Sequence, residues 1–144
     1  MFKNIVVIFV THKTKVKPFF VGLSLAKKFD ANLTVVECLY RSAPKFHFFE
    51  TKSDKKQIEF QKKEAKKSLE KLEKVAKDSD IQIKTKIAIT DSIPSWIAEY
   101  IHSNKVDLLI IDHPNLSEFE EAHYDDIIQS VSHKVRVPLL LLKS

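Results

Sequence analysis

The stretch that most constrains the fold is residues 106–126, VDLLIIDHPNLSEFEEAHYDD, because it opens on a short, uninterrupted apolar run. Residues that favour turns flank this run on both sides. Such a run predicts a strand that is buried on both faces, as in the middle of a parallel sheet. A polar loop follows, and we expect the next helix to begin near Asp125 and Asp126.

The rest of the chain alternates between strand and helix patterns. Residues 4–10, NIVVIFV, are a second continuous apolar run, which predicts another central strand. We expect helices over 18–29, 53–77, 92–103 and 126–134, and further strands over 33–39, 81–89 and 138–142. This alternation predicts a single α/β domain over residues 1–144, built on a parallel sheet.

Open α/β sheets bind ligands beyond the carboxyl ends of their strands, beside the N-terminus of the next helix. The residues of this chain that could line such a crevice are Val10, Thr11, His12, Val36, Cys38, Asp112, His113, Asn115, Asp125 and Asp126. The histidines and carboxylates among them could together hold a divalent metal, although their spacing matches no ligand motif. The alternative interpretation is that the histidines are solvated and an aspartate caps the helix.

The composition argues against several classes of enzyme. The chain has one glycine, Gly22, and one cysteine, Cys38. A single glycine argues against a glycine-rich phosphate loop, and a single cysteine rules out an internal disulfide and fits a reducing compartment. Cys38 lies in an apolar run, which indicates a buried, inert thiol, and Gly22 lies in a predicted helix, which indicates close helix packing. With no Ser-His-Asp arrangement, we expect a protein without catalytic activity or cofactor.

One predicted helix carries the whole charge imbalance. The formal net charge is +5, and residues 52–77 hold ten lysines against five acidic residues. We expect these lysines on a solvated surface, because the apolar positions of the helix share one face, namely Ile58, Ala65, Leu69, Leu72 and Ala76. Lysines without arginine predict weak, salt-sensitive association with polyanions and no specific nucleic acid.

No apolar segment is long enough for a membrane span or a signal-peptide core. The first run, residues 5–10, has six residues, and the last, residues 139–142, is shorter. We therefore expect a soluble, cytoplasmic protein that makes no membrane contact.

Several segments resemble the universal stress protein family (UspA type) in order and spacing. They are the first apolar run, LAKKFDANLTVVECL at 25–39, VDLLIID at 106–112 and DIIQSVSHKVRVPLLLL at 126–142. The resemblance covers the whole chain. It implies a three-layer α/β sandwich with a five-stranded parallel sheet, a Rossmann-like fold of the adenine-nucleotide alpha-hydrolase type. It also implies a homodimer that pairs through the last strand, at Pro138, Leu139, Leu140, Leu141 and Leu142.

Many members of that family bind ATP through the pattern G-x2-G-x9-G-[S/T] after the fourth strand and an aspartate at the end of the first. At the matching positions this chain has Asp112, Asn115 and Asp125-Asp126, and Val10 replaces the first-strand aspartate. Side chains in place of glycine obstruct the approach of phosphates to backbone N–H groups, and Asp126 is expected to cap the helix itself. No lysine or arginine occurs from 107 to 126, so acidic residues should repel a triphosphate.

We therefore predict a cytoplasmic stress-response protein that does not bind ATP and acts by dimerisation and protein contacts. Two alternatives stay open. In one, the chain binds ATP or AMP, with the adenosine at the strand ends near Val10 and Thr11 and near Val36 and Cys38. In the other, it is an enzyme with a metal at His12 and Asp112. Co-purified nucleotide would favour the first, and stoichiometric metal the second.

Overall fold

The computed structural model describes residues 1–10, 16–41, 52–114 and 116–143, and within them five strands alternate with four helices. In chain order these are β1 (Asn4–Phe9), α1 (Val16–Phe29), β2 (Asn32–Tyr40), α2 (Lys52–Asp78), β3 (Lys84–Thr90), α3 (Ile93–Ser103), β4 (Leu108–His113), α4 (Glu118–Lys134) and β5 (Leu139–Lys143). The predicted order of elements is confirmed, and only the start of α4 differs by more than a few residues.

All five strands run parallel, in the order β3-β2-β1-β4-β5. One face of the sheet is covered by α1 and α2, which contribute Phe19 and Leu72 to its core. The other face is covered by α3 and α4, which contribute Ile97 and Val131. The fold is thus the predicted three-layer, Rossmann-like α/β sandwich.

The two predicted central strands, β1 and β4, are neighbours at the middle of the sheet, with Ile5 opposite Leu108 and Ile8 opposite Ile111. The apolar residues of both strands are at most 5% exposed. Successive side chains point to opposite faces, and each face is covered by helices, so every position needs an apolar residue. This is why both strands are continuous apolar runs in the sequence.

The apolar stripes predicted for the helices do face the sheet. The buried positions include Phe19, Leu23 and Ala26 in α1, Ile58, Ala65, Leu69, Leu72 and Ala76 in α2, and Ile93, Ile97 and Ile101 in α3. The lysines of α2 from Lys55 to Lys77 lie on the rest of its surface. Within the described ranges, no helix combines the length and the apolar character that crossing a membrane requires.

β4 begins two residues later than predicted, at Leu108, because Val106 and Asp107 belong to the connection between α3 and the strand. The Val106 N–H donates to a carbonyl of α3 at 3.1 Å. The carboxylate of Asp107 accepts from the N–H groups of Lys3 and Asn4 at 2.8 and 3.1 Å. These bonds tie the starts of β1 and β4 together, so the carboxyl ends of the two strands emerge side by side at the opposite edge of the sheet.

Candidate functional site

The strand order changes direction at the carboxyl ends of β1 and β4, since the chain continues from β1 to β2 on one side while β4 lies on the other. Ligands of open α/β sheets bind at such a switch point. Val10 follows β1 there, and Asp112 and His113 end β4. Three of the predicted crevice residues lie outside the described ranges: Thr11, His12 and Asn115.

His113 links the end of β4 to α4. Its side chain is 14% exposed, and its Nε2 lies 3.6 Å from Oδ1 of Asp125. Its ring meets the ring of Tyr124 edge-on, with centroids 5.1 Å apart. Protonation of the imidazole would turn its contact with Asp125 into an ion pair. The structure therefore brings two of the predicted site residues together, His113 and Asp125.

A carboxylate and a phenol are buried beside His113. Asp112 is 1% exposed and Tyr124 is 2% exposed. Burial raises the pKa of Tyr124, and the nearby carboxylates of Asp112 and Asp125 raise it further, so the phenol stays neutral. Among the described residues, the Tyr124 hydroxyl has no hydrogen-bond partner. The crevice edge thus combines a buried acid, a neutral phenol and an imidazole.

Sequence reasoning missed Tyr124 because it placed this residue in a loop. The available signal was the seven-residue spacing between Tyr124 and Val131, which puts both on one face of a helix. Both are buried in the same cluster as Val36 and Cys38. Tyr124 therefore anchors α4 to the sheet at the candidate site.

The start of α4 corrects the sequence prediction. The helix begins at Glu118, not at Asp125-Asp126, which lie further along the same helix. Ser117 is the N-cap: its Oγ accepts from the Glu120 N–H at 3.4 Å and donates to Glu120 Oε1 at 2.8 Å. Ser117 and Glu120 are the residue types of a capping box, although the Glu120 carboxylate accepts from the Ser117 hydroxyl and not from its backbone N–H. The cap satisfies one N–H of the first turn, that of Glu120. Asp126 is exposed within the helix and cannot cap it.

The start of α4 nevertheless carries the negative charge that the sequence predicts for the segment after β4. The first turn carries Glu118, Glu120 and Glu121, whose carboxylates lie at the positive end of the helix dipole. A helix N-terminus binds a phosphate when its N–H groups are free and its surroundings are not acidic. Here a side-chain cap bonds one of these N–H groups, and three carboxylates make the surroundings acidic.

The second-strand candidates, Val36 and Cys38, lie within the core. Both are at most 2% exposed and pack in one cluster with Ile93 and Ile97 of α3, while Val10 packs against its margin. Burial raises the pKa of the Cys38 thiol to about 12, and Glu37 adds to the shift. Cys38 is therefore the inert, buried thiol that its sequence context indicates.

The described ranges contain no group of three or more histidine, cysteine, aspartate or glutamate side chains able to hold a metal ion. The metal hypothesis depends on His12, which lies outside those ranges.

The predicted dimer-forming residues lie on an edge strand. β5 pairs only with β4 in the described sheet, and its four leucines are half-buried although strongly apolar. Leu139 and Leu141 pack against the α3–α4 side, and Leu140 and Leu142 against the α1–α2 side. Pro138, just before the strand, is exposed.

Comparison with known proteins connects this fold to one family. The family model described as "Universal stress protein family" matches residues 1–143. No curated protein sequence matches the chain.

Solved structures with the same fold include several nucleotide complexes. Universal stress protein UspA from Lactobacillus plantarum has a TM-score of 0.83 at 15% identity, covering 98% of this chain and 97% of its own. The universal stress protein from Archaeoglobus fulgidus in complex with dAMP has a TM-score of 0.64 at 13% identity, covering 98% of each chain. A family protein from Arabidopsis thaliana with AMP bound has a TM-score of 0.55 at 13% identity, covering 98% and 91%. At these identities the likeness shows the fold alone.

Proposed function

The chain belongs to the universal stress protein family, and from this premise we propose that it is a stress-response protein that does not bind ATP and acts through dimerisation and protein contacts. We further propose that it works in the cytoplasm and catalyses no reaction. The buried Cys38 thiol, whose pKa is raised to about 12, supports the absence of thiol chemistry.

The observation that carries the ATP proposal is the acidic, capped start of α4. Phosphates of a nucleotide at this switch point would need the first N–H groups of the helix. Ser117 and Glu120 already occupy that position, and Glu118 and Glu121 add negative charge. A carboxylate about 4 Å from a phosphate charge costs on the order of 4 kcal/mol at an effective dielectric near 20. A triphosphate would meet several such contacts.

Calorimetric titration with Mg-ATP tests this proposal. We expect no saturable heat up to millimolar ATP, where a binding free energy of about 4 kcal/mol would register. Submillimolar affinity in the unmodified protein would contradict the proposal.

A gain-of-binding variant tests whether negative charge is the reason that the protein does not bind ATP. Glu118→Gln, Glu120→Gln and Glu121→Gln together neutralise the helix start. The second change retains the bond to Ser117, because a glutamine carboxamide oxygen can accept from the Ser117 hydroxyl as the Glu120 carboxylate does. Val10→Asp adds the carboxylate that an adenosine would contact. We expect measurable ATP binding by the four-fold variant and none by Val10→Asp alone. Glycine replacements at Asp125 and Asp126 are avoided because both residues lie inside α4, where glycine costs about 1 kcal/mol.

A second candidate function is the binding of a nucleoside monophosphate. Proteins of the same fold hold dAMP or AMP, and a monophosphate presents fewer charges to the acidic helix start than ATP does. The same titration with AMP distinguishes the two candidates. Saturable binding of AMP without binding of ATP would favour the second.

The proposed homodimer pairs β5 with its copy in a second chain. An apolar edge strand with free backbone groups is prone to aggregation, and pairing with a symmetry-related copy covers it. The half-buried leucines of β5 support this arrangement.

A further inference from the structure

A cavity lies on the α1–α2 side of the sheet, between β2 and the first half of α2. It has a volume of about 370 Å³ and is lined by Glu37, Gln57, Phe60, Gln61 and Glu64. Glu37 lies two residues after Val35, which belongs to the core on the α1–α2 side. Because side chains alternate along a strand, Glu37 points to that same side.

Glu37 is an unusual residue for the middle of a sheet. Its side chain lies next to Phe9 and Ile87 in the strand register and is 3% exposed. Its Oε2 has no hydrogen-bond partner among the described residues. Burial raises the pKa of Glu37 to about 7. A buried carboxylate oxygen that has no partner among the described residues, at the wall of a cavity, indicates a place for a hydrogen-bond donor.

The other lining residues define which donor would fit. Gln57 and Gln61 offer carboxamide oxygens, and Glu64 offers a second carboxylate, whose only ion pair among the described residues is with Lys67 at 3.9 Å. Phe60 is 63% exposed, which is unusual for so large an apolar side chain on a helix that is otherwise polar on its outer face. An aromatic ring beside two carboxylates attracts a positive charge through its π face.

We propose that the Glu37 cavity binds a small organic cation that carries a primary ammonium group. The ammonium donates to the Glu37 carboxylate and to the glutamine oxygens, and its alkyl chain lies against Phe60. A divalent metal is a poorer match, because the described residues offer no group of three or more histidine, cysteine or acidic side chains here. The carboxamide and aromatic lining suits an ammonium better.

Calorimetric titration with n-butylammonium at about pH 8, where Glu37 is ionised, tests the proposal. We expect saturable binding, weakened about ten-fold or more by Glu37→Gln, which keeps the shape and removes the charge. Glu59→Gln is the matched control: it makes the same charge change on an exposed side chain of α2 outside the cavity lining, and binding should persist.

A second variant and a neutral ligand complete the test. Phe60→Leu replaces an exposed ring, so it should fold, and it should weaken butylammonium binding about three-fold through loss of the cation–π contact. Neutral 1-butanol has a similar alkyl chain and should not bind measurably. The proposal is overturned by absence of saturation with butylammonium, by equal binding in Glu37→Gln, or by equal binding of 1-butanol. Nucleotide titrations report on the switch point between β1 and β4, which shares no described lining residue with this cavity, so either result there leaves this one independent.

Discussion

Gly22, the only glycine of the chain, shows how one residue sets the distance between α1 and the sheet. A Cβ added there would lie 2.6 Å from Cγ2 of Val7 and 3.3 Å from Cδ1 of Leu33. Glycine inside a helix costs about 1 kcal/mol relative to alanine. The structure agrees with the interpretation that close packing, not backbone freedom, explains this glycine.

We predict that Gly22→Ala destabilises the protein although alanine favours helix. Overpacking a core by one methyl costs about 1–3 kcal/mol, which exceeds the gain in helix propensity. Urea unfolding should show a net loss of about 1–2 kcal/mol. Ser24→Ala, at an exposed position of the same helix, serves as the control and should be neutral or slightly stabilising. A stabilised Gly22→Ala variant would mean that Val7 moves aside at little cost.

Because Glu37 is buried, we predict that the free energy of unfolding decreases as the pH rises. Its pKa rises from 4.5 to about 7 on folding. The folded protein therefore keeps a proton that the unfolded chain releases, so the contribution of this group is fully present below about pH 4.5 and is lost as pH rises through about 7. That contribution amounts to about 3 kcal/mol.

Comparing wild type with Glu37→Gln isolates this effect, since all other titrating groups are shared. Between about pH 5 and pH 8, the free energy of unfolding of the wild type should fall relative to that of the variant. Parallel pH profiles for the two proteins would show that Glu37 ionises normally in the fold.

At the scale of elements, the first turn of α4 decides the chemistry of the crevice. We predict that Ser117→Ala destabilises the protein by about 1 kcal/mol through loss of the cap. Asp126→Asn should change stability by less than about 0.5 kcal/mol, because Asp126 is an exposed residue within the helix. Urea unfolding of both variants measures the difference. The reverse ranking would place the start of the helix at Asp126 after all.

At the scale of the whole molecule, the open edge of β5 predicts dimerisation. The Pro138 carbonyl accepts from the Leu109 N–H at 3.0 Å, so it faces β4. By alternation, the backbone groups of Leu139 and Leu141 point away from β4, toward a second chain.

We expect Leu141→Pro to yield a folded monomer in analytical ultracentrifugation, because it removes an outward N–H and leaves the bonds to β4 intact. Leu140→Lys with Leu142→Lys should give monomer or aggregate, since both leucines also pack on the α1–α2 side. A wild-type protein that sediments as a monomer at micromolar concentration would refute the dimer.

The sequence by itself determined the order and type of the elements. Residues 4–10 and 106–111 could be identified as central strands because burial on both faces demands an apolar side chain at every position. The buried stripe of α2 was equally predictable, because its apolar residues recur at helical spacing along the sequence. These signals are local, so no tertiary information was needed to interpret them.

Only the tertiary structure decided where the polar groups of the core lie. The cap at Ser117 is local and could have been found from the Ser-x-x-Glu spacing, but α4 buries only Tyr124 and Val131, so its apolar periodicity is weak. Glu37 sits in a run of strand residues, and nothing local shows that α2 covers it and leaves a cavity above it. Burial of a single carboxylate depends on which distant helix packs over its strand, and that is settled when the three layers assemble.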